Sequence, residues 1–178
     1  MNLPNKITVF RMCMIPVFLL FFLVDAIPFH NVIALIVFIV ACLSDALDGH
    51  LARKYNLVTN FGKFMDPLAD KLLVCTALLC FLEQGTIPLL VVVVIVAREF
   101  IISGFRLVAA EGGLVIAASY WGKFKTATQM VMSVLLILHL DYSWFAVLET
   151  VFIWLSFALT VISLVDYLVK NKSVLSSK

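Results

Sequence analysis

Charged residues are scarce in this chain. Asp, Glu, Lys and Arg make up 13% of its 178 residues and hydrophobic residues 63%, whereas a soluble domain is about half apolar and about a quarter charged. The formal net charge of +2 gives no ground for a nucleic-acid partner. Cysteine is scarce too. Cys13, Cys42, Cys75 and Cys80 stand in apolar stretches without a C-x-x-C pair, so they read as small apolar filler rather than thiolate ligands. His30, His50 and His139 are unclustered, which excludes a three-ligand zinc site on one side of a membrane. Polar linkers, low-complexity tracts and internal repeats are missing, and residues 1–178 read as a single membrane domain. The N-terminus carries Lys6 and Arg11 before an apolar run from Met12 to Val24, but no small-x-small cleavage pattern follows, so a retained helix is expected.

What the chain has instead is long apolar runs. They fall near residues 7–25, 30–53, 63–83, 87–110, 121–139 and 145–169, and at about 20 residues per crossing they fill the chain. The expected fold is all-α, a polytopic membrane protein with six transmembrane helices and a short interfacial segment over residues 2–11. Three connections, at 25–30, 83–88 and 139–144, hold no Lys or Arg. The other ends hold Lys6 and Arg11, then Arg53, Lys54 and Lys63, then Arg106, Lys123 and Lys125, then Lys170, Lys172 and Lys178. By the positive-inside rule this predicts a multi-pass protein of the cell membrane with both termini in the cytoplasm. Tyr120, Trp121, Tyr142 and Trp144 fit interfacial belts.

Against this background the aspartates stand out. An ionisable residue inside a span costs a few kcal/mol on insertion scales and by default marks a functional site. Near the end of the second span Asp45, Asp48, Gly49 and Ala52 fall within an arc of roughly 100° on a helix. At the start of the third, Gly62, Asp66 and Asp70 repeat every four residues and share one face. Small residues beside the carboxylates leave room for a ligand or a neighbouring helix to approach the backbone. Packed as a hairpin, the two helices would gather four carboxylates, which repel one another unless protonated or neutralised by a divalent cation. Oxygen-only ligands suit Mg²⁺, Mn²⁺ or Ca²⁺. Salt bridges to Arg53, Lys63 and Lys71 would account for one aspartate better than for four on two matched faces. A cation channel or transporter would spread its carboxylates along a path, whereas these gather at one depth.

From Asp45 to Asp70 the chain reads D-x2-D-G-x2-A-R-x8-G-x3-D-x3-D, which resembles the signature of the CDP-alcohol phosphotransferase family at every defined position. The segments 2–11 and 66–74, the pair Arg98-Glu99 and the segment 122–126 look like the branch of that family that makes phosphatidylglycerol phosphate in bacteria. The resemblance implies a homodimer of six-helix chains embedded in membrane lipid. It also implies two divalent cations among Asp45, Asp48, Asp66 and Asp70, Mg²⁺ first and Mn²⁺ as the alternative. Thr8, Arg11, Gly49, Ala52, Arg53, Thr59 and Gly62 would hold CDP-diacylglycerol. The reaction implied is attack by sn-glycerol 3-phosphate to give phosphatidylglycerol phosphate and CMP, with Asp70 accepting the proton of the acceptor hydroxyl at the cytoplasmic side of the membrane.

A second set of charges lies in the fourth and fifth spans. Arg106, Lys123 and Lys125 suit the phosphate of an anionic acceptor, although positive-inside anchoring is the plainer account of such residues. Arg98 and Glu99, adjacent and about 100° apart on a helix, should each find a partner on another helix in a supporting role, with Glu99 orienting one of the cations. A phosphate cradle disfavours serine as acceptor. It leaves cardiolipin or inositol-phosphate lipid synthesis as the competing activities within the family.

Overall fold

Six helices make up all the regular structure among the described residues: α1 (Leu3–Leu23), α2 (His30–Lys54), α3 (Asn60–Glu83), α4 (Leu89–Glu111), α5 (Tyr120–Leu138) and α6 (Ser143–Lys170). The structure is a computed structural model. It describes the backbone of residues 3–54, 60–111, 116 and 119–172, and the side chains of these apart from 3–4, 45–54, 60–64, 66–67, 70 and 111. The fold is all-α, and each helix coincides with one apolar run to within a few residues. α3 begins at Asn60, ahead of its apolar run, because a helix satisfies its own backbone hydrogen bonds whether or not its first turn is apolar. The stretch expected to lie along the interface forms the first turns of a continuous α1. Pro4 sits in the opening turn, where a missing N–H costs nothing. Between α3 and α4 the chain turns through Gly85 at φ 71°, a left-handed conformation that glycine adopts without strain.

The distribution of side chains is that of a protein solvated by lipid. Leu107, Val169 and Leu79 are 65%, 63% and 58% exposed, while Arg11, Lys125 and Gln129 are 0%, 2% and 4% exposed. Apolar groups face out and polar groups face in, the reverse of the pattern in water. Among the described residues, Asn5–Leu23 and Ser143–Lys170 are long and apolar enough to cross a bilayer, with mean hydropathy 2.0 and 2.1.

The chain forms two compact units, Met1–Gln84 and Gly85–Lys178. In the first, α1 is the hub: it packs on α2 and on α3, which touch each other less. Asn5, Thr8, Arg11, Ile15, Phe18 and Phe22 are its buried residues, spaced three or four apart along one face. The inner half of that face is aromatic. The Phe18 ring lies 5.4 Å from Phe22 and 5.9 Å from Phe38 of α2, and Phe22 lies 5.7 Å from Phe81 of α3.

In the second unit α6 packs on both α4 and α5. Its buried residues are Phe145, Glu149, Ile153, Ser156, Thr160, Ser163 and Tyr167, a seam in which small hydroxyl side chains allow neighbouring helix backbones to come close. Ser156 and Thr160 keep the seam polar yet slim. At the far end of the α5–α6 hairpin, Nδ1 of His139 lies 3.0 Å from Oε1 of the buried Glu149.

Candidate active site

The aromatic contacts of the first unit set the register of its three helices. Phe18 of α1 meets Phe38 of the antiparallel α2, so seven residues back along α1 and seven forward along α2 lead to Arg11 and to position 45. Phe22 meets Phe81 of the parallel α3, and eleven residues back along each lead to Arg11 and to position 70. At 1.5 Å per residue the backbone positions 45 and 70 therefore stand near the level of Arg11, with 48 and 66 near that of Thr8. The buried stripe of α2 is Ala34, Phe38, Ala41 and Ser44, running toward the end of the helix that holds positions 45 and 48. On α3 the buried stripe is Ala77, Leu73 and Ala69, running toward the end of the helix that holds positions 70 and 66. The side chains of Asp45, Asp48, Gly49, Ala52, Arg53, Gly62, Asp66 and Asp70, and the whole of Thr59, lie outside the described residues. Thr8 and Arg11 are described, and both are fully buried. A guanidinium withdrawn into a membrane helix bundle requires anionic compensation, and this one sits at the level where four aspartates enter the fold.

The second unit brings together Arg98, Glu99 and Lys125. Lys125 of α5 is ion-paired with Oε1 of Glu99, and Nη1 of Arg98 donates to the same oxygen at 2.9 Å. Nε of Arg98 donates to Oγ of Ser163 on α6 at 3.1 Å. Oε1 of Glu99 is thus shared by two cations. Gly122 packs beside this cluster: a Cβ there would stand 3.4 Å from Nη2 of Arg98. Lys123 and Arg106 remain exposed. Lys123 Nζ lies 5.5 Å from the Tyr120 ring centroid, and the Arg106 guanidinium lies 5.8 Å from that of Tyr167, both within cation–π range. The Tyr167 ring is itself held edge-on by Phe105 at 5.6 Å.

Sequence reasoning passed over Ser163, Asp166 and Tyr167, all on the last turns of α6. Asp166 accepts a hydrogen bond from Oγ of Ser119 at 2.6 Å through Oδ2 and pairs with Lys170 at 2.7 Å through Oδ1. It is an ionisable residue in an apolar run, the same signal that marks the other aspartates.

Comparison with known proteins bears on what these two groups of residues do. Residues 1–162 match the family model described as CDP-alcohol phosphatidyltransferase. A Bacillus subtilis protein named CDP-diacylglycerol--glycerol-3-phosphate 3-phosphatidyltransferase is 41% identical over 99% of this chain and 98% of its own length. The chain belongs to the CDP-alcohol phosphatidyltransferase family. A Haemophilus influenzae protein of the same name as the Bacillus one is 37% identical over 94% of this chain and 91% of its own length. A Mycobacterium tuberculosis protein named probable phosphatidylglycerophosphate synthase is 40% identical over 95% of this chain and 81% of its own length.

CDP-alcohol phosphatidyltransferases are membrane enzymes that depend on divalent metal ions, and the donor chemistry of the first unit fits such ions. Aspartate supplies hard oxygen ligands only, and positions 45, 48, 66 and 70 reach a common level. Among the described residues, which leave out the side chains of these four aspartates, no group of three or more His, Cys, Asp or Glu could hold a metal ion.

Proposed function

We propose that this chain transfers the phosphatidyl group of CDP-diacylglycerol to sn-glycerol 3-phosphate, giving phosphatidylglycerol phosphate and CMP. The observation that carries the reading is the 37–41% identity, over more than nine-tenths of the chain, to relatives named for this reaction. The exposed cations Arg106 and Lys123 of the second unit support a phosphate-bearing acceptor.

Asp45, Asp48, Asp66 and Asp70 would hold two divalent cations, Mg²⁺ in preference to Mn²⁺, which when bound supply charge neutralisation at the pyrophosphate and at departing CMP. The protein's own residues bind and orient. Thr8, Arg11, Arg53 and Thr59 hold the CDP portion, while Gly49, Ala52 and Gly62 leave the backbone open to it. The acceptor hydroxyl oxygen bonds to the phosphatidyl phosphorus in line with the pyrophosphate bond. That P–O bond breaks, CMP leaves with its electron pair, and Asp70 takes the hydroxyl proton.

The family match over residues 1–162 spans both compact units, which supports one catalytic domain over residues 1–178; the homodimer is what the resemblance to the family implies. The Lys and Arg distribution supports six crossings of the cell membrane with both termini cytoplasmic. The test is CMP release by purified protein given CDP-diacylglycerol, Mg²⁺ and one acceptor at a time. Release with glycerol 3-phosphate but not with inositol phosphate, serine or phosphatidylglycerol is expected. Preference for any of the last three would replace this reading.

A further inference from the structure

We infer that Asp166 is a positioning residue for the acceptor-binding end of α5, acting through Ser119. This rests on the proposed role of Arg106 and Lys123. Ser119 occupies the N-cap position of α5, with φ −69° and ψ 151°, yet its side chain makes no capping hydrogen bond. A serine at that position ordinarily accepts from an N–H of the first turn. Here the hydroxyl is spent as a donor, 2.6 Å from Oδ2 of Asp166 on α6.

The consequence lies in what stands between this tether and the next. Lys125 is the second anchor of α5, ion-paired with Glu99 of α4. Lys123 lies between the two, four residues after Ser119 and two before Lys125, and its backbone N–H donates to the Ser119 carbonyl at 3.2 Å. Fixed at both ends, the first turn of α5 holds Lys123 at one place on the unit. Released at Ser119, it is free to swing about the Lys125 anchor and carry Lys123 away. The same two turns of α6 present Ser163 to Arg98 and Tyr167 to Arg106, so Asp166 completes a row in which one helix sets the positions of cations on two others. Lys170, paired with Oδ1, holds the carboxylate in the orientation that leaves Oδ2 for Ser119.

The test uses full-length protein in nanodiscs, with CMP release followed against glycerol 3-phosphate at saturating CDP-diacylglycerol and Mg²⁺. Ser119→Ala and Asp166→Ala are each expected to raise KM for glycerol 3-phosphate about three- to tenfold, the loss of one hydrogen bond's worth of positioning. KM for CDP-diacylglycerol should stay at the wild-type value. The double variant should be no worse than either single one, because both remove the same contact. Asp166→Asn keeps an oxygen that accepts from Ser119 and should recover most of the loss. Ser119→Ala removes a single oxygen, so the result stays readable if Asp166→Ala fails to fold. A wild-type enzyme active with glycerol 3-phosphate, but variants with unchanged KM for it, would overturn this inference alone. So would a rise in KM for both substrates together with a lower Tm, which marks a merely structural contact. No CMP release from the wild type with glycerol 3-phosphate would instead overturn the proposed function, and this inference with it.

Discussion

A single oxygen of Glu99, Oε1, serves both Lys125 and Arg98 inside the α4–α6 unit, where the Lys125 and Glu99 side chains are 3% and 19% exposed. Removing the carboxylate takes away the partner that both cations share, whereas removing Lys125 leaves Glu99 still paired with Arg98. Glu99→Gln is therefore expected to destabilise the protein by about 3–5 kcal/mol, and Lys125→Met by clearly less. Thermal unfolding in detergent checks the order, and equal losses would show that the pair does not act as described.

Gly122 tests the same cluster from the side. A methyl group there would meet the Arg98 guanidinium at 3.4 Å, a contact that a flexible side chain can absorb. Gly122→Ala should behave like the wild type. Gly122→Val should push the guanidinium off Glu99 and Ser163 at a cost of about 1–3 kcal/mol, read as a drop in Tm. An unchanged Tm would place the guanidinium elsewhere.

Most of the helix plan was legible because a bilayer demands long apolar runs and these are hard to mistake. The hub role of α1 was less so. Its buried face carries Asn5, Thr8 and Arg11 with Ile15, Phe18 and Phe22, but Phe10, Leu20 and Leu23 on the lipid side are just as apolar, so no contrast in hydropathy separates the two faces. Lys125 shows a different limit. It stands four residues before the buried Gln129 and eight before Ser133, a spacing that marks the interior, yet a lysine near a helix end reads equally well as an anchor. Asp166 was available to the same reasoning that singled out Asp45. It was passed over because it stands alone, and its partner Ser119 lies on a different helix.

Topology follows from the placement of charge. A cysteine replacing Asp141, in the connection between α5 and α6 that holds no Lys or Arg, should react with a membrane-impermeant maleimide applied to intact cells. One replacing Asn56 should react only after permeabilisation. The opposite pattern would invert the proposed orientation.

Metal dependence gives the next test. CMP release should stop in excess chelator and return with Mg²⁺ or Mn²⁺. Asp70→Asn keeps the size of the side chain but loses the proton acceptor, so kcat should fall about 10²- to 10⁴-fold. Full turnover in chelator would remove the basis for assigning the aspartates to metal.

Arg106 and Lys123 are proposed to recognise the phosphate of the acceptor rather than its hydroxyls, and that distinction is measurable. Both are exposed, each cation lies near a tyrosine ring, Tyr167 and Tyr120 respectively, and among the described residues neither is drawn into a buried ion pair in the way Lys125 is. A charge-assisted contact to phosphate contributes about 1.5–3 kcal/mol, so Arg106→Ala or Lys123→Ala should raise KM for glycerol 3-phosphate about ten- to a hundredfold where KM follows binding. Unphosphorylated glycerol at high concentration serves as the control acceptor. It offers the same attacking hydroxyl without the phosphate, so its kcat/KM should be the same in variant and wild type. If the variants slow glycerol and glycerol 3-phosphate alike, the two cations act on the donor or on the fold. If neither acceptor is affected, they are membrane anchors.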